Sequence, residues 1–212
     1  NSLSLYRDKL GNQSPGTQAA IRFMSALLKD SENYVEAEQL AREALALGRQ
    51  VADTYDNTLH ALRNLASILQ EKEEWEEAEL LLAEALATNR DLFGEKAQPT
   101  LETMGEIGAL LVAMGNTSDA QKHLEQAFET SEHVYGRGHP LTVTLIGQMG
   151  ELRQAQGDNA KAEALLVECF EVNKNTRSLE HEKTSDAIEA LIVFYDETDQ
   201  QAESQKYSDM LP

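Results

Sequence analysis

Residues 59–86 read LHALRNLASILQEKEEWEEAELLLAEAL. Leu59, Leu62, Leu65, Ala66 and Leu69 recur at the interval of one helix face, Glu71 to Glu74 interrupt the pattern, and Ala78, Leu81, Leu82, Ala85 and Leu86 resume it. Two helices joined by a short turn are expected here. The pattern recurs along the chain. A small residue, a second twelve positions on and a third seven further occur as Ser25/Ala37/Ala44, Ala66/Ala78/Ala85, Gly108/Ala120/Ala127 and Gly150/Ala162/Cys169, offset by 41, 42 and 42 residues. A period of this size means stacked supersecondary units, in which each pair of helices buries its apolar face against its neighbours. The fold class expected is all-α: a right-handed α–α superhelical solenoid of helix pairs.

Punctuation agrees with the period. Met114-Gly115-Asn116 and Gln156-Gly157-Asp158 supply a glycine able to end a helix in the left-handed conformation. Gly94 to Pro99 and Gly136 to Pro140 read as turns between units, with a proline that cannot continue the preceding helix. Thr58, Thr100, Thr142 and Thr184, one per unit, are expected to be N-caps. These marks give a single domain over 1–212. Its full repeats are 16–57, 58–99, 100–141 and 142–183, with a terminal capping helix pair over 184–212 and the tail of a truncated repeat over 1–15. Because Leu10 to Pro15 repeats the punctuation of Phe93 to Pro99 and the chain starts with Asn, the natural protein is expected to continue upstream.

Composition narrows the partners. Against 37 Asp and Glu the 212 residues carry 18 Lys and Arg, a formal charge of -19 that opposes binding to nucleic acid or an anionic membrane surface. No apolar run approaches the roughly 20 residues of a membrane span, and the first ten residues lack the layout of a signal peptide. The single cysteine, Cys169, takes a position that holds Ala in the other repeats and reads as a buried small residue. Cytoplasmic residence is the expectation. Among five histidines, none has the spacing of a zinc pair, and no phosphate-cradling loop or catalytic constellation is present. No cofactor, no metal and no enzyme activity are expected.

The small residues at the eighth, twentieth and twenty-seventh positions of each unit, with Tyr34 or Trp75 at the seventeenth, resemble tetratricopeptide repeats. Length alone, about 42 residues, would favour HEAT or armadillo units over the usual tetratricopeptide length of about 34. The spacing of the small residues decides for the tetratricopeptide pattern. The turn Tyr135-Gly136-Arg137-Gly138-His139-Pro140-Leu141-Thr142 and the run Leu62-Arg63-Asn64-Leu65-Ala66 resemble the kinesin-light-chain subtype, and the likeness covers nearly the whole chain.

In that family the first helix of each pair lines a concave groove. Carried onto this chain residue by residue, the resemblance implies a peptide-binding face of Arg22, Lys29, His60, Arg63, Asn64, Ser67 and Gln70, then Glu102, Gly105, Glu106, Thr144, Gly147, Gln148, Glu151, Asp186 and Glu189. The N-terminal part is basic and the C-terminal part acidic. Arg22 and Arg63 are placed to grip a carboxylate or phosphate together, or each to pair with a scaffold glutamate. Gly105 and Gly147 either open the groove floor or allow close contact between repeats. The function implied is a protein–protein interaction scaffold holding a peptide segment of another protein, basic or bipolar in charge. The alternatives are an oligomerisation segment forming a homo-oligomer, and a sensor or recruitment arm of a larger signalling enzyme such as a bacterial kinase.

Overall fold

A computed structural model describes residues 2–12, 14–50, 55–177 and 181–211. Eleven helices account for most of them: α1 (Ser2–Leu10), α2 (Pro15–Asp30), α3 (Tyr34–Gln50), α4 (Tyr55–Glu71), α5 (Trp75–Phe93), α6 (Gln98–Ala113), α7 (Thr117–Tyr135), α8 (Pro140–Ala155), α9 (Asn159–Thr176), α10 (Glu182–Glu197) and α11 (Gln201–Ser208). After α1 they form five first-and-second pairs. By backbone contact the chain divides into two compact units, Asn1–Leu92 and Phe93–Pro212.

Inside each unit the pairs pack through the repeating small residues. Ala37, Ala66, Ala78, Ala85, Ala120, Ala127 and Ala162 are all fully buried. Gly108 and Gly150 do more than fill space: a Cβ at either would fall within 2.8 Å of Leu124 or Leu166 on the partner helix. Bare backbone there lets α6 meet α7, and α8 meet α9, at a distance that no larger residue permits. First helices also approach one another directly, α2 against α4 in the first unit and α6, α8 and α10 in succession in the second. Second helices are linked by long side chains instead. Arg7 pairs with Glu43, Arg42 with Glu77 and Arg49 with Glu84, and Arg137, in the turn that follows α7, pairs with Glu168 of α9, each at 2.6 Å. Exposed pairs of this kind are worth about 0–1 kcal/mol each. Their larger consequence is that they consume much of the chain's small stock of cations.

The turns inside the pairs share one conformation whatever residue occupies them. Gly115 and Gly157 have φ near 76°, as expected, and the equivalent Glu32, Glu73 and Asp199 adopt φ of 60°, 60° and 57°. In all five turns the next amide donates to a carbonyl five residues back, as from Asn33 to Leu28, Glu74 to Leu69 and Asn116 to Leu111, each at 2.8 Å. This is the Schellman closure, and its hydrogen bonds offset the local cost of a non-glycine residue at positive φ. Asn116 and Asp158 then cap the following helix through their side chains, accepting from Asp119 N and Lys161 N.

The threonine caps are corrected by the structure. Helices α6, α8 and α10 begin two residues before Thr100, Thr142 and Thr184, with Ala97, His139 and His181 as N-caps, and Thr58 lies inside α4, which is already helical from Tyr55; α2 starts in the same way at Pro15 after the N-cap Ser14. Pro15, Pro99 and Pro140 lie in the first turn, where a missing amide costs nothing, so proline starts the next helix here and does not merely end the last. Thr100, Thr142 and Thr184 are fully buried. The Thr142 hydroxyl bonds Ser131 on α7 at 2.7 Å, and Thr100 donates to the Gly94 carbonyl at 2.8 Å. Thr100 and Thr142 therefore join a helix to what precedes it, whereas the buried Thr184 hydroxyl is unbonded.

Candidate functional site

The first-helix residues singled out by the resemblance fall in both units. In the first unit several are tied to the neighbouring first helix. Lys29 Nζ donates to Ser67 Oγ at 3.2 Å, and Asn64 Nδ2 donates to Ser25 Oγ at 2.9 Å, whose own hydroxyl donates to the Ala37 carbonyl. Asn57 adds a third rung to Gln18. His60 and Arg63 have interaction partners of their own, whereas Arg22 is half-buried with its Nε unbonded. Gln70 is half-buried near the end of α4.

In the second unit, five of the expected residues line or border one cavity of about 200 Å³. One stripe of α8 supplies Thr144, Gly147, Gln148 and Glu151. The start of α10 contributes Lys183 and Asp186, followed by Ala187 and Ala190. Leu166, Cys169 and Asn173 of α9 reach it from the second-helix layer, and Ala109 from α6. Of the residues expected on this face, Glu102, Glu106 and Glu189 lie outside the lining; Glu102 accepts from Gln98 Nε2 at 2.8 Å, and Glu106 also has a partner.

The two inner glycines resolve differently. Gly105 is buried, and a Cβ there would meet Gln148 Oε1 at 2.6 Å and Leu145 Cδ2 at 2.9 Å. It is a close-packing position between α6 and α8, because the neighbouring helix lies directly over it. Gly147 is only half-buried and borders the cavity, with Cys169 Sγ 3.2 Å from where its Cβ would stand.

Most polar groups of the cavity already have partners. Asn173 donates to the Cys169 carbonyl at 3.0 Å and accepts from Arg177 Nη1 at 2.7 Å. Lys183 Nζ lies 2.8 Å from Asp186 Oδ2. Glu151 is different: its side chain stays accessible, yet protein crowds it closely enough that loss of water raises its carboxyl above the usual pKa. Among the described residues no hydrogen bond or ion pair reaches it. Burial, with the nearby Glu151 charge, pushes the Cys169 thiol up to about 11, which leaves it protonated and unreactive at neutral pH.

Lys183, Asn173 and Ala187 were not anticipated in the cavity. A usable signal existed for Asn173, which continues the series Gly48, Asn89 and Ser131 at offsets of 41, 42 and 42. No cluster of three or more metal-ligating side chains occurs among the described residues, and none of their helices is long and apolar enough to cross a membrane.

Consecutive helix pairs joined through small residues, with an accessible first-helix face, define an all-α helical-repeat scaffold for protein interaction. The tetratricopeptide repeat model matches residues 17–91 and 99–175, and the chain belongs to that family. Its fold is a scaffold fold, not a catalytic one. No curated protein matches the chain in sequence. Among solved structures, BtubC (BKLC) from P. vanneervenii superposes with a TM-score of 0.71 at 16% identity, over 98% of this chain and 84% of that one. A Podosopora anserina protein with nearly identical TPR-like repeats of the kinesin-light-chain kind gives 0.65 at 19% identity, over 93% and 94%. A Rap protein complexed with Competence and Sporulation Factor gives 0.78 at 13% identity, over 98% of this chain and 56% of that one. At these identities the likeness is one of fold.

Proposed function

We propose that the first-helix faces of this scaffold hold peptide segments of a partner protein, with basic residues directed to the second unit and acidic residues to Arg22 and Arg63 in the first. The observation that carries the reading is the cavity on α8 and α10, where the face expected from sequence has an indentation with an accessible, unpaired carboxylate. Arginines spent on the second-helix side leave this inner face acidic. Charge of this kind contributes to orientation and association rate more than to affinity. The Rap structure, solved with a bound factor, supports ligand capture as a use of this architecture. The test is binding of the chain to short peptides of varied charge order at low and moderate salt. Basic and bipolar peptides are expected to bind, faster at low salt, and Arg22→Glu with Arg63→Glu is expected to abolish the preference for acidic residues. Indifference to charge order and to the double substitution would reject the reading.

A different observation favours a second reading, self-association. Leu5, Tyr6, Leu10, Phe23 and Leu27 on α1 and α2 are 43–70% exposed, and an apolar cleft of about 500 Å³ lies between the two helices. A second copy suits this face, since a two-fold contact sets identical apolar surfaces together and Arg7 is already neutralised by Glu43. Sedimentation over a concentration series is expected to show a dimer that Phe23→Glu disperses. A monomer at every concentration would remove this reading.

A further inference from the structure

The cavity between α8 and α10 is too small for a peptide. At about 200 Å³ it is below the roughly 300–1,000 Å³ typical of small-molecule pockets, so it holds one long side chain. Its walls are narrow in chemistry as well as size. Gly147, Ala187 and Ala190 present no side chain large enough to close it. Asn173 is satisfied at both ends of its amide, and Lys183 is held by Asp186. One acceptor remains without a donor on the open side, Glu151; the unbonded Gln148 Oε1 is buried against Gly105 of α6 and faces away from the opening. With Lys183 and Asp186 cancelling, Glu151 leaves the cavity with a net negative charge.

An anionic side chain would meet Glu151 as a like charge. An apolar one would leave that crowded carboxylate without water or a partner, the costly arrangement for a charge losing solvent. A cation on a long aliphatic stem meets both requirements, because methylenes pass the small residues while the charged end reaches the carboxylate. We infer that this cavity takes the cationic end of a single arginine or lysine side chain of the bound segment, with Glu151 as its ion partner. The inference rests on the reading that the second unit binds peptides and names the residue it selects.

The probe is N-acetyl-arginine amide, titrated into the isotopically labelled chain and followed by amide chemical shifts, with N-acetyl-citrulline amide as its neutral isostere. Saturable shifts are expected at Gly147, Glu151 and Ala190, with a dissociation constant on the order of millimolar. Citrulline should bind at least tenfold more weakly. Glu151→Gln should remove that preference, while Glu189→Gln, which takes the same charge from the same face outside the lining, should preserve it. Equal binding of the two probes, or equal loss in the two variants, would assign the effect to diffuse surface charge and overturn the inference. The peptide reading fails separately. If the arginine probe binds as expected but no charge-ordered peptide does, the cavity stands as a cation site and peptide capture falls. If peptides bind without needing Lys or Arg and Glu151→Gln is silent, the cavity assignment falls and peptide capture stands.

Discussion

Replacing Gly108 by valine is expected to cost the second unit about 2–4 kcal/mol, an overpacking penalty at the upper end of the usual range. A Cβ at this position would stand 2.4 Å from Leu124 Cγ and 2.7 Å from Leu124 Cδ2, and Leu124 is fully buried. Removing a helical glycine normally gains about 1 kcal/mol in propensity. Here the gain is outweighed, because three atoms of the fully buried Leu124 side chain lie 2.4–3.2 Å from the added Cβ, so that Leu124 or α7 must shift away from α6. Valine adds two further methyl groups and a stiff χ1 to the same contact. Since repeat arrays need not unfold in one step, hydrogen exchange resolved along the chain is the suitable measurement. Amides of α6 and α7 should lose protection while those of α2 and α3 hold. Unchanged protection in α6 and α7 would mean that the interface adjusts more easily than its packing implies.

Phe170→Ala is the second large effect expected, at about 3–5 kcal/mol for a buried aromatic ring. Phe170 is 1% exposed on α9, and the Tyr207 ring of α11 stands edge-on to it with centroids 5.4 Å apart. Tyr207 also stacks on Tyr195 at 5.7 Å, and the Tyr195 hydroxyl donates to Glu163 at 2.9 Å. Only Ser204 and Tyr207 are buried in α11, so this short polar helix depends on a single aromatic anchor. Losing the ring should free α11 to exchange its amides before any other helix and expose the apolar end of α10. Thermal melting combined with exchange at residues 201–208 measures it. If α11 keeps its protection, Met210 and Leu211, which pack at the same end, carry the cap instead.

The repeat was legible because its signals are local. Apolar residues three and four apart write a helix face directly into the chain, and a glycine that ends a helix does so through its own φ. The ordering of eleven helices into pairs followed from those signals, as did burial of Ala78, Ala120 and Cys169. Turn geometry was only partly visible. Gly115 and Gly157 announced their conformation, whereas Glu32, Glu73 and Asp199 take the same one through the closure of the surrounding turn, which their side chains do not reveal.

The face of the first helices was legible as a set of positions but not as a site. Register alone gave Asn64 and Lys29 the same standing as Glu151. Yet Asn64 and Lys29 are bonded to the adjoining first helix, Asp186 is paired with Lys183, and Glu151 lies unpaired beside a cavity that α9 helps to line. Thr100 and Thr142 likewise read as caps from their place before an apolar run, and became buried joints because the helix starts earlier and another segment faces them. Periodicity and turn chemistry are properties of neighbours along the chain, so helix order, pairing and acidic character were settled there. Which groups remain available depends on the side chains that a second helix brings within a few ångströms, and only packing in three dimensions decides that.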